Sequence, residues 1–201
     1  MPIRRGVAVS DHRGSPRRAE LLDSAYAYAV EHGLADLSLR PLAAATGTSP
    51  RVLLYLFGSK DDLVREILAR SRREEVDLVA VALAARPASY ELVVRRLWAY
   101  LCAAEQRGTI RLFLEAYTRS LGAEPGPWVG FAEQTIGDWV EILCRAQPGV
   151  ARARAERRAV GTLALLRGLL LDLLARGDAA GLTRIVTEAS VRYGEKPTED
   201  E

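Results

Sequence analysis

Arg51 and Tyr55 stand four residues apart in PRVLLYLF (50–57), a short apolar stretch opened by Ser49-Pro50 and closed by Gly58. With residues placed 100° apart, Leu53, Leu56 and Phe57 share one side of a helix. Arg51 and Tyr55 point the opposite way, and Leu54 sits on the shoulder. An outward arginine fork suits O6 and N7 of a guanine base. The Tyr55 hydroxyl can reach a phosphate, and Leu54 can touch a thymine methyl but donates nothing. Thr48, Ser49 and the unpaired N–H groups at a helix start, with Pro50 in its first position, can bind phosphate. Each residue also has a plainer reading: Arg51 as a solvated arginine, Ser49 as a cap, Tyr55 packed sideways.

The elements that position these residues are legible nearby. Ser38 can cap a helix carrying Leu39, Leu42, Ala43 and Ala45, and Gly47 ends it, because glycine takes the left-handed conformation cheaply. Ser49 caps the next helix, with Pro50 at its first position. Ser59 with Asp62 makes an acidic capping box that starts a further helix at Lys60. Two short helices joined by a tight, glycine-containing turn form a helix-turn-helix. Before them, Leu21, Leu22, Ala25, Tyr26, Ala29 and Val30 recur at helical spacing over about 16–32, up to Gly33. Beyond them, helices are expected over about 60–85, 89–105, 110–121, 128–146, 151–176 and 180–193. Pro87 ends the first of these, Gly108 stops the second, and a Gly/Pro loop, GAEPGP (122–127), precedes Trp128. The charged run Arg70–Glu75 reads as a solvated connector. No strand-like alternation is present, so the expected class is all-α with about nine helices.

Residues 17–65 resemble the tetracycline-repressor (TetR) family of bacterial transcriptional regulators. The matching residues are Leu21-Leu22, Ala25, Gly33, Leu37-Ser38-Leu39-Arg40, Leu42-Ala43, Gly47, Ser49, Leu53, Phe57, Ser59-Lys60 and Leu63. The resemblance implies that Ser38, Arg40, Thr48, Ser49, Pro50, Arg51, Leu54, Tyr55 and Lys60 form the DNA-binding set, with Lys60 on the DNA backbone. Two positions depart from the family pattern. Leu54 stands where the family usually has Tyr, and Leu56 where it usually has His or Tyr, which removes some phosphate contacts.

Charge and composition narrow the alternatives. The net charge of +2 argues against a generic polyanion binder. Residues 1–60 hold eight basic and five acidic side chains, and Arg4, Arg5, Arg13, Arg17 and Arg18 cluster at the front. Such a cluster can follow phosphates or enter a minor groove, or be a solvated arm. No apolar run reaches the roughly 18–20 residues of a membrane span. No signal-peptide core follows the first arginines, so a cytoplasmic protein is expected. Cys102 and Cys144 read as two buried thiols. There is no Ser/His/Asp or Cys/His arrangement, no metal-ligand spacing and no Gly-rich phosphate loop. No cofactor, metal or catalytic residue is expected, and a small all-α enzyme remains as an alternative without supporting residues.

A single helix-turn-helix buries too little surface for tight specific binding, so a homodimer on a palindromic operator is expected. Gly161, Ala164 and Gly168 permit close helix approach, beside an apolar ridge of Leu165, Leu169 and Leu173. Leu182, Ile185, Val186 and Ala189 follow on the last helix. The resemblance implies a four-helix interface from these two helices of each chain, while the same pattern also fits an intrachain core. Trp98, Phe113, Tyr117, Phe131 and Trp139 are the residues expected to border a small hydrophobic effector, or to be simple core. The expected organisation is a flexible basic arm (1–15), a helix-turn-helix domain (16–62), a dimerisation and effector domain (63–193) and a tail (194–201). The expected function is a DNA-binding regulator, a repressor released by its effector. The alternative is the same fold with weakened sequence reading.

Overall fold

The computed structural model describes residues 15–84 and 89–191. The arm before Ser15, Pro87 and the tail lie outside the described residues. Among the described residues there are nine α-helices and no strand. They are α1 (Pro16–His32), α2 (Leu39–Ala45), α3 (Pro50–Phe57), α4 (Lys60–Ala84), α5 (Tyr90–Leu101), α6 (Arg107–Ser120), α7 (Phe131–Arg145), α8 (Arg152–Arg176) and α9 (Ala179–Val191).

Local chemistry explains most of the boundaries. The Ser15 hydroxyl accepts from the Arg18 N–H at 3.2 Å, with Pro16 opening α1. The Ser49 hydroxyl accepts from the Val52 N–H at 3.3 Å. Gly47 and Gly58 sit at φ 64° and 87°, where a β-carbon would be strained, and this lets the chain turn sharply on both sides of α3. Ser38 departs from expectation: its backbone is extended as a cap's should be, but its side chain makes no capping bond.

Three helices begin or end elsewhere than periodicity predicts. α5 stops at Leu101, a single 3₁₀ turn (Ala104–Gln106) follows, and α6 starts at Arg107. Gly108 is therefore inside the first turn of α6 and stops nothing. Trp128 closes a second 3₁₀ turn (Gly126–Trp128), and α7 begins only after Gly130 at φ 74°.

Two apolar cores fill the molecule. The first joins Leu21, Ala25, Leu42, Leu53 and Phe57 of α1–α3 to Leu63, Val64, Ile67 and Leu68 of α4. It continues without interruption into Leu112, Phe113 and Ala116 of α6 and on to Trp128 and Phe131. The core of the helix-turn-helix thus does not stop at residue 62. The second core holds Leu97 and Trp98 of α5, Trp139 and Leu143 of α7, Leu163, Leu166, Leu170 and Leu173 of α8, and Leu182 and Val186 of α9. Each fully buried side chain of this kind contributes about 1.5–3 kcal/mol.

The charged run in α4 is the junction between these layers and not a solvated connector. Arg70 donates to Asp23 of α1 at 2.9 Å and to Glu74 at 3.1 Å, with its guanidinium 5.1 Å from the centre of the Tyr26 ring. Ser71 is buried. Arg72 donates to Asp138 of α7 at 3.2 Å and also to Gln134. Charged side chains are spent on neighbouring helices here, because a long helix between two layers has acids from both within reach.

Candidate nucleic-acid interface and the cavity behind it

α3 presents the face its spacing predicts. Leu53 and Phe57 are buried and Leu56 is half-buried against the same core. Arg51 is exposed, Tyr55 is 68% exposed, and Leu54 and Val52 also face outward. Ser38, Arg40, Ser49, Pro50 and Lys60 are exposed and Thr48 is half-buried. All nine of the expected contact residues thus have surface to offer. At the start of α4, the Ser59 hydroxyl donates to the Asp62 carboxylate at 2.6 Å and accepts from its N–H at 3.0 Å. That hydrogen bond, with Arg65 beside it, holds the Asp62 carboxyl below its ordinary range. The cap fixes Lys60 at the positive end of a helix, an unfavourable place for a cation unless a phosphate lies opposite.

Arg18 has a different role from the one its place among the N-terminal arginines suggests. Its Nε donates to the Leu56 carbonyl at 3.2 Å, its Nη2 pairs with Glu66, and its guanidinium lies 4.8 Å from the Phe57 ring centre. One side chain of α1 thereby holds the C-terminal end of α3 and the flank of α4. Arg17, exposed and paired with Glu20, remains outward. Arg18→Ala should cost about 2 kcal/mol, since it strands a carboxylate and a carbonyl together. Urea titration checks this, and a loss below about 0.5 kcal/mol would show that the staple is dispensable.

A cavity of about 60 Å³ lies behind the helix-turn-helix. Phe113 and Trp139 line it. Trp98 does not: it is core, and its Nε1–H donates to the Thr183 hydroxyl at 2.8 Å, joining α5 to α9. Phe131 packs against the opposite side of Phe113, in the first core. Tyr117 is outside the lining too, and its hydroxyl accepts from Arg167 Nη1 at 2.7 Å. Further walls come from Glu74 of α4, Tyr100 and Leu101 of α5, Gln106, and Leu163, Leu166, Arg167 and Leu170 of α8. Sequence reading missed the α8 contribution because LALLRGLLLDLLA is apolar on nearly every side and marks no inner face. Tyr26, under the cavity, is pushed up to about 12 by burial and by Glu74, so it stays a hydrogen-bond donor to that carboxylate. A second, more open cleft of about 190 Å³ lies between α4 and Pro127–Gln134, where Arg72 is already engaged.

Besides the core it shares with α1–α4, α6 meets the helix-turn-helix layer at Gly108 and Glu115. A β-carbon on Gly108 would stand 2.8 Å from both Val30 Cγ1 and the Val30 carbonyl of α1. Farther along, the Glu115 carboxylate accepts from the Leu34 N–H at 3.1 Å. The same helix supplies Thr109, Ile110 and Phe113 to the cavity.

On the far side, the expected dimer residues divide. Gly161, Ala164 and Gly168 are exposed, Leu165 is half-buried and Ile185 is 44% exposed. Leu169 and Leu182, at 8% and 3%, belong to the chain's own second core, as do Leu173 and Val186. The buried face of α8 takes in Leu163, Leu166, Leu169, Leu170 and Leu173, so most of its leucines are consumed within the chain. Val160 and Leu171, both 54% exposed, stand on the outward stripe instead. Cys144 is buried, which pushes its thiol up, whereas Cys102 is only half-buried.

The helix-turn-helix thus stands on a helical body that holds a partly open cavity. Residues 21–67 match the family described as bacterial regulatory proteins, tetR family. Solved structures share the fold along most of the chain. A transcriptional regulator from Rhodococcus sp. Rha1 is 19% identical with a TM-score of 0.71, over 88% of this chain and 95% of that one. A TetR transcription regulator from Haloarcula marismortui ATCC 43049 is 19% identical with a TM-score of 0.68, over 88% and 95%. The multidrug binding protein EbrR, solved complexed with imidazole, is 22% identical with a TM-score of 0.68, over the full length of both chains. Among curated proteins none matches. The family match thus covers the helix-turn-helix segment, and the described body as a whole takes the fold of these solved structures.

Proposed function

We propose that the protein is a sequence-specific repressor that reads a palindromic operator as a cytoplasmic homodimer and leaves it when a small hydrophobic effector enters the cavity. The observation that carries the DNA-binding half is the outward face of α3, with Arg51 and Tyr55 exposed beside Ser49 and Lys60 and the helix stapled from behind by Arg18. Arg51 is the base reader in this scheme. Ser38, Arg40, Thr48, Ser49, Pro50, Tyr55 and Lys60 serve the backbone, and Leu54 meets a thymine methyl. No described helix is long and apolar enough to cross a membrane.

Effector control is supported by continuity. α6 both lines the cavity and abuts Val30 of α1 and Leu34 just beyond it, so walls that part on α6 load the helix-turn-helix layer. EbrR, with the same fold, is a multidrug binding protein. A ligand favouring the released state weakens DNA binding by the factor by which DNA weakens it. A mobility shift with duplex from the gene's own upstream region tests the reading. A retarded complex that survives excess unrelated DNA is expected, and no complex with any upstream duplex would overturn it. A reader with weakened sequence preference is favoured by the exposed apolar Val52 and Leu54. It would give a complex that unrelated DNA removes.

Within this reading, Arg51→Ala should cost about 1–3 kcal/mol and relax preference at one position per half-site. Competition with a library of single-base operator variants measures it. Uniform weakening across the library would reduce Arg51 to a phosphate contact.

A further inference from the structure

Arg167 is the unusual member of the cavity wall. It projects from α8 among Phe113, Trp139, Leu163 and Leu166, half-buried. Its guanidinium lies 5.1 Å from the Tyr117 ring centre and gives one N–H to the Tyr117 hydroxyl at 2.7 Å. No carboxylate among the described residues pairs with it. Glu74, the acid of the same wall, is in the opposite condition: Arg70 donates to it at 3.1 Å and the Tyr26 hydroxyl bonds to it as well. Among the described residues, the lining therefore holds one neutralised acid and one cation that pairs with no carboxylate. A guanidinium withdrawn from water without an anion is costly, and its five donors in a planar fork match a carboxylate. Tyr117 fixes the fork's direction and leaves its other donors to be used.

We propose that the cavity takes a hydrophobic carboxylate, its headgroup on Arg167 and its apolar part against Phe113, Trp139, Leu163 and Leu166; the assignment deepens the effector reading above and rests on it. Size refines the choice. At about 60 Å³ the cavity is smaller than the roughly 150 Å³ that accepts benzene in an apolar protein core. A slender alkyl chain enters with less displacement than a ring. Anything bulkier must part Ile110 and Phe113 of α6 from α8, and α6 bears on Val30 through Gly108.

Titration calorimetry, with tryptophan fluorescence as a second signal, would compare sodium octanoate, 1-octanol and octyltrimethylammonium on the full chain. Octanoate is expected to bind at least tenfold more tightly than octanol, the factor of one charge-assisted contact. In Arg167→Met that ratio should fall to near one, and Arg167→Lys, which keeps charge without the fork, should retain part of it. A ratio near one in the native protein, or one unchanged in Arg167→Met, overturns the proposal. So does tighter binding of the ammonium compound, which would make Glu74 the anchor. Should Arg167→Met fail to fold by circular dichroism, the native comparison and Arg167→Lys still decide. The mobility shift keeps the two readings apart. DNA binding without octanoate preference removes this inference alone. Octanoate preference without DNA binding removes the repressor reading and leaves the ligand chemistry standing.

Discussion

Gly168→Leu is expected to leave the chain folded and to abolish the proposed dimer. A β-carbon at Gly168 meets nothing within its own chain, so leucine costs the monomer little and gains up to about 1 kcal/mol of helix propensity. The outward stripe of α8 is a row of small and apolar residues: Val160, Gly161, Ala164, Gly168 and Leu171. Beside it α9 shows Ile185 and Val191. Apolar side chains left outward on two adjacent helices mark a contact with something else, and small residues among them allow two backbones to cross closely. A leucine there holds the helices apart. Sedimentation should find monomer at concentrations where the native chain is a dimer, with an unchanged helical spectrum. Operator affinity should fall by roughly 100-fold, because the second half-site is no longer delivered at high effective concentration. A Gly168→Leu variant that sediments as a dimer would move the interface to another face.

The second large effect is expected at Gly108. An added β-carbon would lie 2.8 Å from a backbone carbonyl, that of Val30, which cannot move unless α1 does. Overpacking of this kind costs about 1–3 kcal/mol, so Gly108→Ala should lower the melting temperature by roughly 2–12 °C in a chain of this size. Gly137→Ala is the control. Gly137 is also helical, but its added β-carbon meets nothing, so that change should be neutral or stabilising by up to about 1 kcal/mol. Gly108→Ala should also alter operator affinity although no DNA-facing residue is touched, because it pushes α1, and with it Arg18 and α3, away from α6. Equal melting temperatures for the two variants would mean that the α1–α6 contact has slack.

Features legible in the sequence are those settled within a few residues. Ser49-Pro50 opens α3 because a hydroxyl three residues back and a proline with no N–H suit the same four unpaired backbone groups. Gly47 and Gly58 turn because the backbone there needs positive φ. The outward direction of Arg51 and Tyr55 follows from the 3.6-residue repeat once Leu53 and Phe57 are taken as the inner side. Such rules have no access to distance across the fold. Arg18 pairs with Glu66, 48 positions on, and Arg72 with Asp138, 66 positions on. Nothing in the run of charges distinguishes them from their solvated neighbours.

The sequence by itself therefore determined the all-α class, the helix-turn-helix and the outward face of its second helix, because caps, turns and helical periodicity act locally. The tertiary structure alone decided where charge and volume are spent. It turned Leu169 and Leu182 into the chain's own core, made Gly108 a contact in place of a helix stop, and set Arg70 and Glu74 at a junction. It also placed Arg167 in an apolar wall. Each of these depends on which helices lie side by side, and that is fixed by how two cores can be packed at once by the whole chain.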